Sequence, residues 1–131
     1  MIDKLGEHLR FNSEALRLRS MRQELLASNV VNAETPRYQA RDFDFARALR
    51  EAAAAAASNN AAPWHGLPGA ARAAPAAPAL YERASYQPSL DGNTVDMDAE
   101  RAQFVDNALR YEAALRALNM QLKTMLSAIQ G

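Results

Sequence analysis

The strongest pattern in the chain is a heptad repeat over its last third. Apolar side chains recur at alternating spacings of four and three, with polar residues such as Asp106 and Arg110 between them. This spacing is typical of a helix that packs along a seam. No Gly or Pro lies between Gly92 and Gly131. The pattern therefore predicts a long helix over residues 96–131, with a seam formed by Phe104, Ala108, Tyr111, Leu115, Leu118, Leu122, Met125 and Ile129.

A second long helix is predicted over residues 1–33, because Pro36 removes an amide donor and the helix must end before it. Its apolar side chains fall on two sides at helical spacing, which indicates more than one packing partner. Only one other long helix is available, so we expect the second side to face another molecule; the alternative is local burial of the N-terminus. The first side comprises Phe11, Ala15, Leu18, Met21 and Leu25, and the second comprises Ile2, Leu5, Leu9 and Leu16.

Two short segments carry weaker patterns. The pattern of residues 34–45 predicts a loop that ends in an extended segment, with Phe43 and Phe45 on one face. Residues 80–95 predict one or two short strands before the turn dipeptide Asp91-Gly92.

Between these segments, residues 46–79 are rich in Ala and Pro. Ala46 to Ala57 has high helix propensity, and we expect a helix there with nothing specific to pack on. Ser58 to Ala79 has too little bulky apolar surface to offset its ordering entropy. We interpret it either as a tolerated, variable insertion or as a docking tag built on Trp64.

Composition and charge exclude several classes of function. Lys plus Arg and Asp plus Glu both number 15, with mixed signs along the chain, so no basic stripe is available to bind nucleic acid. No apolar run is long enough to span a membrane, and the first ten residues lack the apolar centre of a secretory signal. The absence of Cys excludes disulfides and thiolate chemistry.

Candidate chemistry is absent as well. The acidic run that ends in Asp98 and Glu100 does not fit a calcium loop, and we expect Asp96 to cap the last helix instead. His8 and His65 have no companions at metal-ligand spacing. The sequence therefore predicts no catalytic, metal or cofactor site and no small-molecule substrate.

Two motifs at the two ends of the chain resemble the flagellar basal-body rod protein family. The first lies in the stretch Gln23 to Phe45, and the second begins at Gly92 and continues into the last helix. The sequence departs from the family pattern at Arg37, where the family usually carries Gly. The motif residues are Ser28, Asn29, Asn32, Ala33, Thr35, Pro36, Tyr38, Gly92, Asn93, Val95 and Asp96.

The resemblance implies a mainly α fold. Long N- and C-terminal helices would pack as an antiparallel coiled-coil pair, with a small irregular, β-containing middle segment. It also implies a structural subunit of the proximal rod that assembles helically, crosses the periplasm and transmits motor torque to hook and filament. Export would proceed through the flagellar type III apparatus without a cleaved signal peptide.

The partners that this resemblance implies are copies of the chain, other rod subunits, the basal-body adaptor protein and the export-gate proteins. The alternative, which the helices alone leave open, is a coiled-coil adaptor or chaperone-like component of a type III secretion system.

Overall fold

A computed structural model describes residues 2–60, 76–85 and 89–131, without the side chains of residues 2, 3 and 58–60. In these ranges the chain forms the helices and strands α1 (Ile2–Val31), β1 (Arg41–Phe43), α2 (Phe45–Asn60), β2 (Leu80–Glu82) and α3 (Met97–Gln130). Most of the Ala/Pro-rich insertion, including the Trp64 docking tag and His65, lies outside the described residues, as does the side chain of Ile2.

The two long helices run antiparallel along each other. Near one end, Asn12 Nδ2 donates to Gln121 Oε1 at 2.8 Å, and near the other, Asn29 Nδ2 donates to Glu100 Oε2 at 3.2 Å. At 1.5 Å per residue, α1 is about 45 Å long and α3 about 51 Å. The predicted mainly α fold with a long helix pair is confirmed.

Helix α3 begins where its capping residue predicts. Asp96 has an extended backbone, and its Oδ1 accepts hydrogen bonds from the amides of Asp98 and Ala99 at 3.1 and 3.2 Å. Asp98 and Glu100 place negative charge in the first turn, where the helix dipole favours it. The prediction that Asp96 is the N-cap is confirmed.

The β1–β2 pair is a small antiparallel sheet in which Asp42 lies opposite Tyr81. Its strand β1 is shorter than the predicted extended segment, because Asp44 starts helix α2. Asp44 Oδ1 accepts the Arg47 amide at 3.0 Å, and Asp44 O accepts the Ala48 amide at 2.9 Å. The prediction that Phe45 continues the extended segment was wrong, since a capping Asp turns the chain into a helix at that point.

Helix α2 packs on α1 through an apolar cluster, so the prediction of a helix with nothing specific to pack on was also wrong. Leu18, Phe43 and Ala48 are buried together. The guanidinium of Arg19 also lies 4.3 Å from the centre of the Phe45 ring. The small Ala48 side chain allows close approach of the two helices. The partly buried side chains around this cluster are Met21, Leu25, Phe45 and Leu49.

Burial is concentrated at one end of the helix pair. In the described chain, the fully buried residues of α1 and α3 lie between Leu18 and Asn29 and between Glu100 and Asn107. We call the helix pair over residues 18–31 and 97–107 the junction end, and the pair over residues 4–17 and 108–130 the outer end. The buried apolar residues of the described ranges all lie outside α3.

We predict a gradient of amide exchange in the monomer along α3. Amides of residues 97–107 should exchange more slowly than those of residues 115–130, because only the former turns contain buried side chains. Hydrogen–deuterium exchange of the purified chain measures this directly. Equal protection along the whole of α3 would contradict the gradient.

Candidate functional site

The first motif forms the turn that ends α1. Asn32 closes the helix, since its backbone amide and its side-chain Nδ2 both donate to Ser28 O, at 3.1 and 2.9 Å. Thr35 then hydrogen-bonds to Asn32, through its amide to the carbonyl and through Oγ1 to Oδ1. These contacts satisfy groups that a helix C-terminus leaves without partners.

The second motif binds this turn through one amide side chain. Asn93 Nδ2 donates to the carbonyl oxygens of Asn32, Ala33 and Thr35 at 3.0, 2.8 and 2.8 Å. Its Oδ1 accepts the Val95 amide at 2.8 Å, and the residue is only 4% exposed. Two motifs about sixty residues apart in sequence therefore meet at one buried Asn, and we call this contact the Asn93 junction.

Backbone contacts extend the Asn93 junction along both motifs. Arg37 N donates to Asp91 O, and Thr94 N donates to Tyr38 O, each at 3.0 Å. The Ala40 amide donates to Thr94 Oγ1 at 2.8 Å. The segment before α3 is thus paired with the segment after α1.

Arg37 lies in the left-handed region of the backbone, with φ of 62°. This region favours Gly because a Cβ atom there crowds the neighbouring carbonyl. The departure from the family pattern therefore falls on a position where Gly has a physical advantage. Gly92, which faces Arg37 across the junction, has φ of 77°.

Asn29 and Tyr38 connect the first motif to strand β1. Asn29 is fully buried; its Nδ2 donates to Arg41 O at 2.9 Å and its Oδ1 accepts the Arg41 amide at 3.0 Å. The same oxygen accepts the Tyr38 hydroxyl at 3.2 Å, and that hydroxyl lies 3.3 Å from Ser28 Oγ. Asn29 thereby pairs with the backbone of Arg41 much as a neighbouring strand would.

Next to Asn29 is a group of polar and charged side chains that we call the Arg83 cluster: Arg22, Asp42, Arg83, Glu100 and Gln103. Arg83 donates to Asp42 Oδ2 and to Glu100 Oε1, each at 2.6 Å. Arg22 forms a two-point contact with Asp42 at 3.1 and 2.9 Å. Both guanidinium groups also donate to Gln103 Oε1. The formal charges of the cluster cancel.

Sequence analysis did not identify the Arg83 cluster. The spacing of Glu100, Asn107 and Gln121 on one heptad line could have indicated that the inner face of α3 is polar. Asn107 is buried, and its Nδ2 donates to Arg19 O at 2.9 Å and to Gln23 Oε1 at 2.7 Å. Ala108 and Leu122 of the apolar seam directly follow Asn107 and Gln121 in sequence, so the seam pattern was the one that the sequence analysis detected.

The α1–α3 contact covers only part of the seam. Phe104, Tyr111, Leu115, Leu122 and Ile129 are exposed, whereas Ala108, Leu118 and Met125 are half-buried. On α1, Leu18 is buried, Leu5 and Phe11 are exposed, and the half-buried positions are Leu9, Ala15, Leu16, Met21 and Leu25. The outer end of α3 exposes further apolar side chains at Leu109, Met120 and Leu126.

The polar clusters are internally paired, and the exposed side chains of the seam are apolar. The buried carboxylates of Asp42 and Glu100 are neutralised by arginine. Within the described ranges, no group of three or more His, Cys, Asp or Glu side chains is placed to hold a metal ion. Nor does any described helix combine the length and apolarity that a membrane crossing requires. The remaining candidate surface is the exposed seam.

Similar proteins show the family to which these motifs belong. The chain is 50% identical to the flagellar basal body rod protein FlgB of Salmonella typhimurium, over 100% of this chain and 99% of that protein. It is 44% identical to FlgB of Yersinia enterocolitica, over 99% of this chain and 98% of that protein. The chain belongs to the FlgB family.

The FlgB relationship extends to further organisms and through the middle of the chain. Identity to FlgB of Cereibacter sphaeroides is 42%, over 98% of this chain and 95% of that protein. These alignments include residues 46–79, which the two motifs had left outside the resemblance. No protein-family model matches the chain.

We predict that Arg37→Gly stabilises the chain by up to about 1 kcal/mol, because it removes a Cβ atom from a left-handed residue. Arg37→Ala is the control, since it deletes the side chain but keeps the Cβ atom. Urea unfolding of both variants measures the difference. A destabilised Arg37→Gly variant would show that the Arg37 side chain matters more than its backbone.

We predict that Asp42 contributes to acid sensitivity. Burial raises the pKa of Asp42, but hydrogen bonds from Arg22, the Phe43 amide and Arg83 outweigh burial and hold the pKa below its usual value. A lowered folded-state pKa gives stability above the unfolded pKa of about 4, and this stability is lost as the pH falls through the folded pKa.

The test is urea unfolding at a series of acidic pH values. Asp42→Asn should be less stable than the parent chain at neutral pH, and its stability should fall less steeply below about pH 4. Parallel pH profiles for the two proteins would contradict this assignment.

Proposed function

We propose that the chain is a structural subunit of the bacterial flagellar basal-body rod. Membership in the FlgB family supports this role, because the relatives carry the name of a rod protein. In this proposal the chain assembles helically with copies of itself and other rod subunits, and it has no catalytic activity. The observation that carries the proposal is the apolar seam of α3, in which five of the eight side chains stay exposed although α3 is paired with α1.

The energetics of the seam favour assembly. The inner face of α3 contacts α1 through polar groups at Glu100, Asn107 and Gln121. The apolar seam is therefore only partly buried by the fold of one chain. Complete burial of a Leu side chain contributes about 1.5–3 kcal/mol, so covering the seam with neighbouring subunits would stabilise each contact. A head-to-tail contact that does not close into a ring generates a helical filament.

The proposal includes torque transmission, which long helix contacts would support. Each subunit would meet its neighbours along a helix pair of about 45–50 Å, and the load on the rod would be shared among many such contacts. Within the basal body we place the chain at the proximal rod, in contact with the adaptor protein at the rod base and the export-gate proteins. Export through the flagellar type III apparatus, without a cleaved signal, completes the proposal.

We predict that a charge in the seam abolishes motility. Leu115→Asp and Ile129→Asp would each place a carboxylate in the seam, and Ile129→Asp should disturb the monomer least, because Ile129 is 80% exposed and Leu115 38%. A strain that produces either variant should form no swimming halo. Circular dichroism of the purified variants should show the helical content of the parent.

Ala113→Asp is the matched control, because Ala113 is exposed on the opposite side of α3 and receives the same charge. It should leave swimming intact. Basal bodies purified with detergent and high salt should contain the parent chain and the control but not the seam variants. A swimming Leu115→Asp strain, or a parent chain removed by the salt wash, would favour the loose adaptor over the rod subunit.

A further inference from the structure

The Arg83 cluster draws one or two side chains from each of four parts of the fold. Arg22 comes from α1, Asp42 from β1, Arg83 from the residue after β2, and Glu100 and Gln103 from α3. Asp42 and Glu100 are each 1% exposed. A buried carboxylate is stable as an ion only when cations or hydrogen-bond donors replace its lost water.

The two carboxylates depend on Arg83 to different extents. Asp42 has Arg22, Arg83 and the Phe43 amide as donors. Glu100 has one cation in the described part of the chain, Arg83 at 2.6 Å, and otherwise the neutral amide of Asn29 at 3.2 Å. Loss of Arg83 therefore leaves Asp42 paired but leaves Glu100 without a counter-charge.

The buried contacts that hold the first turns of α3 to α1 are polar, and besides the Arg83 ion pair they are hydrogen bonds such as those of Asn29 to Glu100 and Arg22 to Gln103. The buried apolar residues of the described chain lie in α1, in α2 and around β1, and none lies in α3. The nearest buried contact further along α3 is the hydrogen bonding of Asn107 to Gln23 and Arg19. Docking of residues 97–107 thus relies on polar groups, and the single ion pair among those described runs to Arg83.

We propose that Arg83 is a conformational latch that couples strand β2 to helix α3. With β2 paired to β1, Arg83 neutralises Glu100 and the first turns of α3 stay docked on α1. When β2 separates from β1, Arg83 leaves with it, and the unpaired Glu100 carries these turns away from α1 into water. Displacement of the short β segment by a neighbouring molecule would thereby free the junction end of α3.

The first test removes the Arg83 guanidinium and then, in a double variant, also removes the Glu100 charge that it neutralises. In Arg83→Met, amides of residues 97–107 should exchange with deuterium at least roughly 100-fold faster, because breaking a buried ion pair leaves an uncompensated charge. The double variant Arg83→Met with Glu100→Gln should recover most of this protection, since a neutral amide at position 100 needs no counter-charge. Arg110→Met is the control, because Arg110 forms an exposed ion pair within α3.

These outcomes decide the proposal. Recovery in the double variant supports a latch, because a residue that acts only by packing would not be rescued by a neutral partner. Equal exchange in Arg83→Met and the parent, or no recovery in the double variant, would overturn it. Should Arg83→Met fail to fold, Arg83→Lys keeps the charge but loses the two-way contact, and the same rescue by Glu100→Gln is then expected on a smaller scale.

A second test separates β2 from β1 without changing any side chain of the cluster. The Arg83 amide donates to Ala40 O, so by the alternation of an antiparallel ladder the Tyr81 amide also faces β1 and the Glu82 amide faces away. Tyr81→Pro should break the pairing and accelerate exchange in residues 97–107, whereas Glu82→Pro should not. Unchanged exchange in Tyr81→Pro, despite loss of protection in β1, would overturn the coupling.

Discussion

The rest of the fold depends on ion pairs between charged side chains that are buried at the contact of the two long helices. Asp42 and Glu100 are out of water, and their charges are acceptable only because Arg22 and Arg83 reach them. Those arginines belong to different elements, so the helix pair, the β segment and the turn between them have to be in place together. The geometry is specified by charge matching rather than by a large apolar core.

This use of polar side chains explains where the apolar ones lie. A helix has a limited inner face, and α3 uses that face for Glu100, Asn107 and Gln121. Polar groups at such heptad positions fix the register of a helix pair at a cost in stability. Part of the apolar seam is then left exposed in the single chain. Specific pairing of the two helices and an exposed apolar surface are thus two results of one arrangement.

The sequence predicted the long helices, the Asp96 cap and the two motifs, because each depends on residues close together in the chain. It did not predict that α2 packs on Leu18, since a run of Ala carries no pattern that identifies its partner. It also could not pair Arg83 with Asp42 and Glu100, which come from separate elements and have no shared local pattern. The contact of Asn93 with the Asn32–Thr35 turn could not be predicted for the same reason. Both motifs were recognised in the sequence, but their contact depends on the fold.

The antiparallel pairing of α1 and α3 has a practical consequence for labelling. Ile2 and Gln130 lie at the same end of the pair, so a tag on either terminus would sit beside the apolar surface of the outer end. Ala77, Pro78 and Leu80, in contrast, line a surface cleft with Met21 and Leu25, roughly 30 Å further along α1 at 1.5 Å per residue. A fluorophore or gold particle attached at the exposed Ala77 would therefore mark the junction end of the molecule and leave the outer end unobstructed.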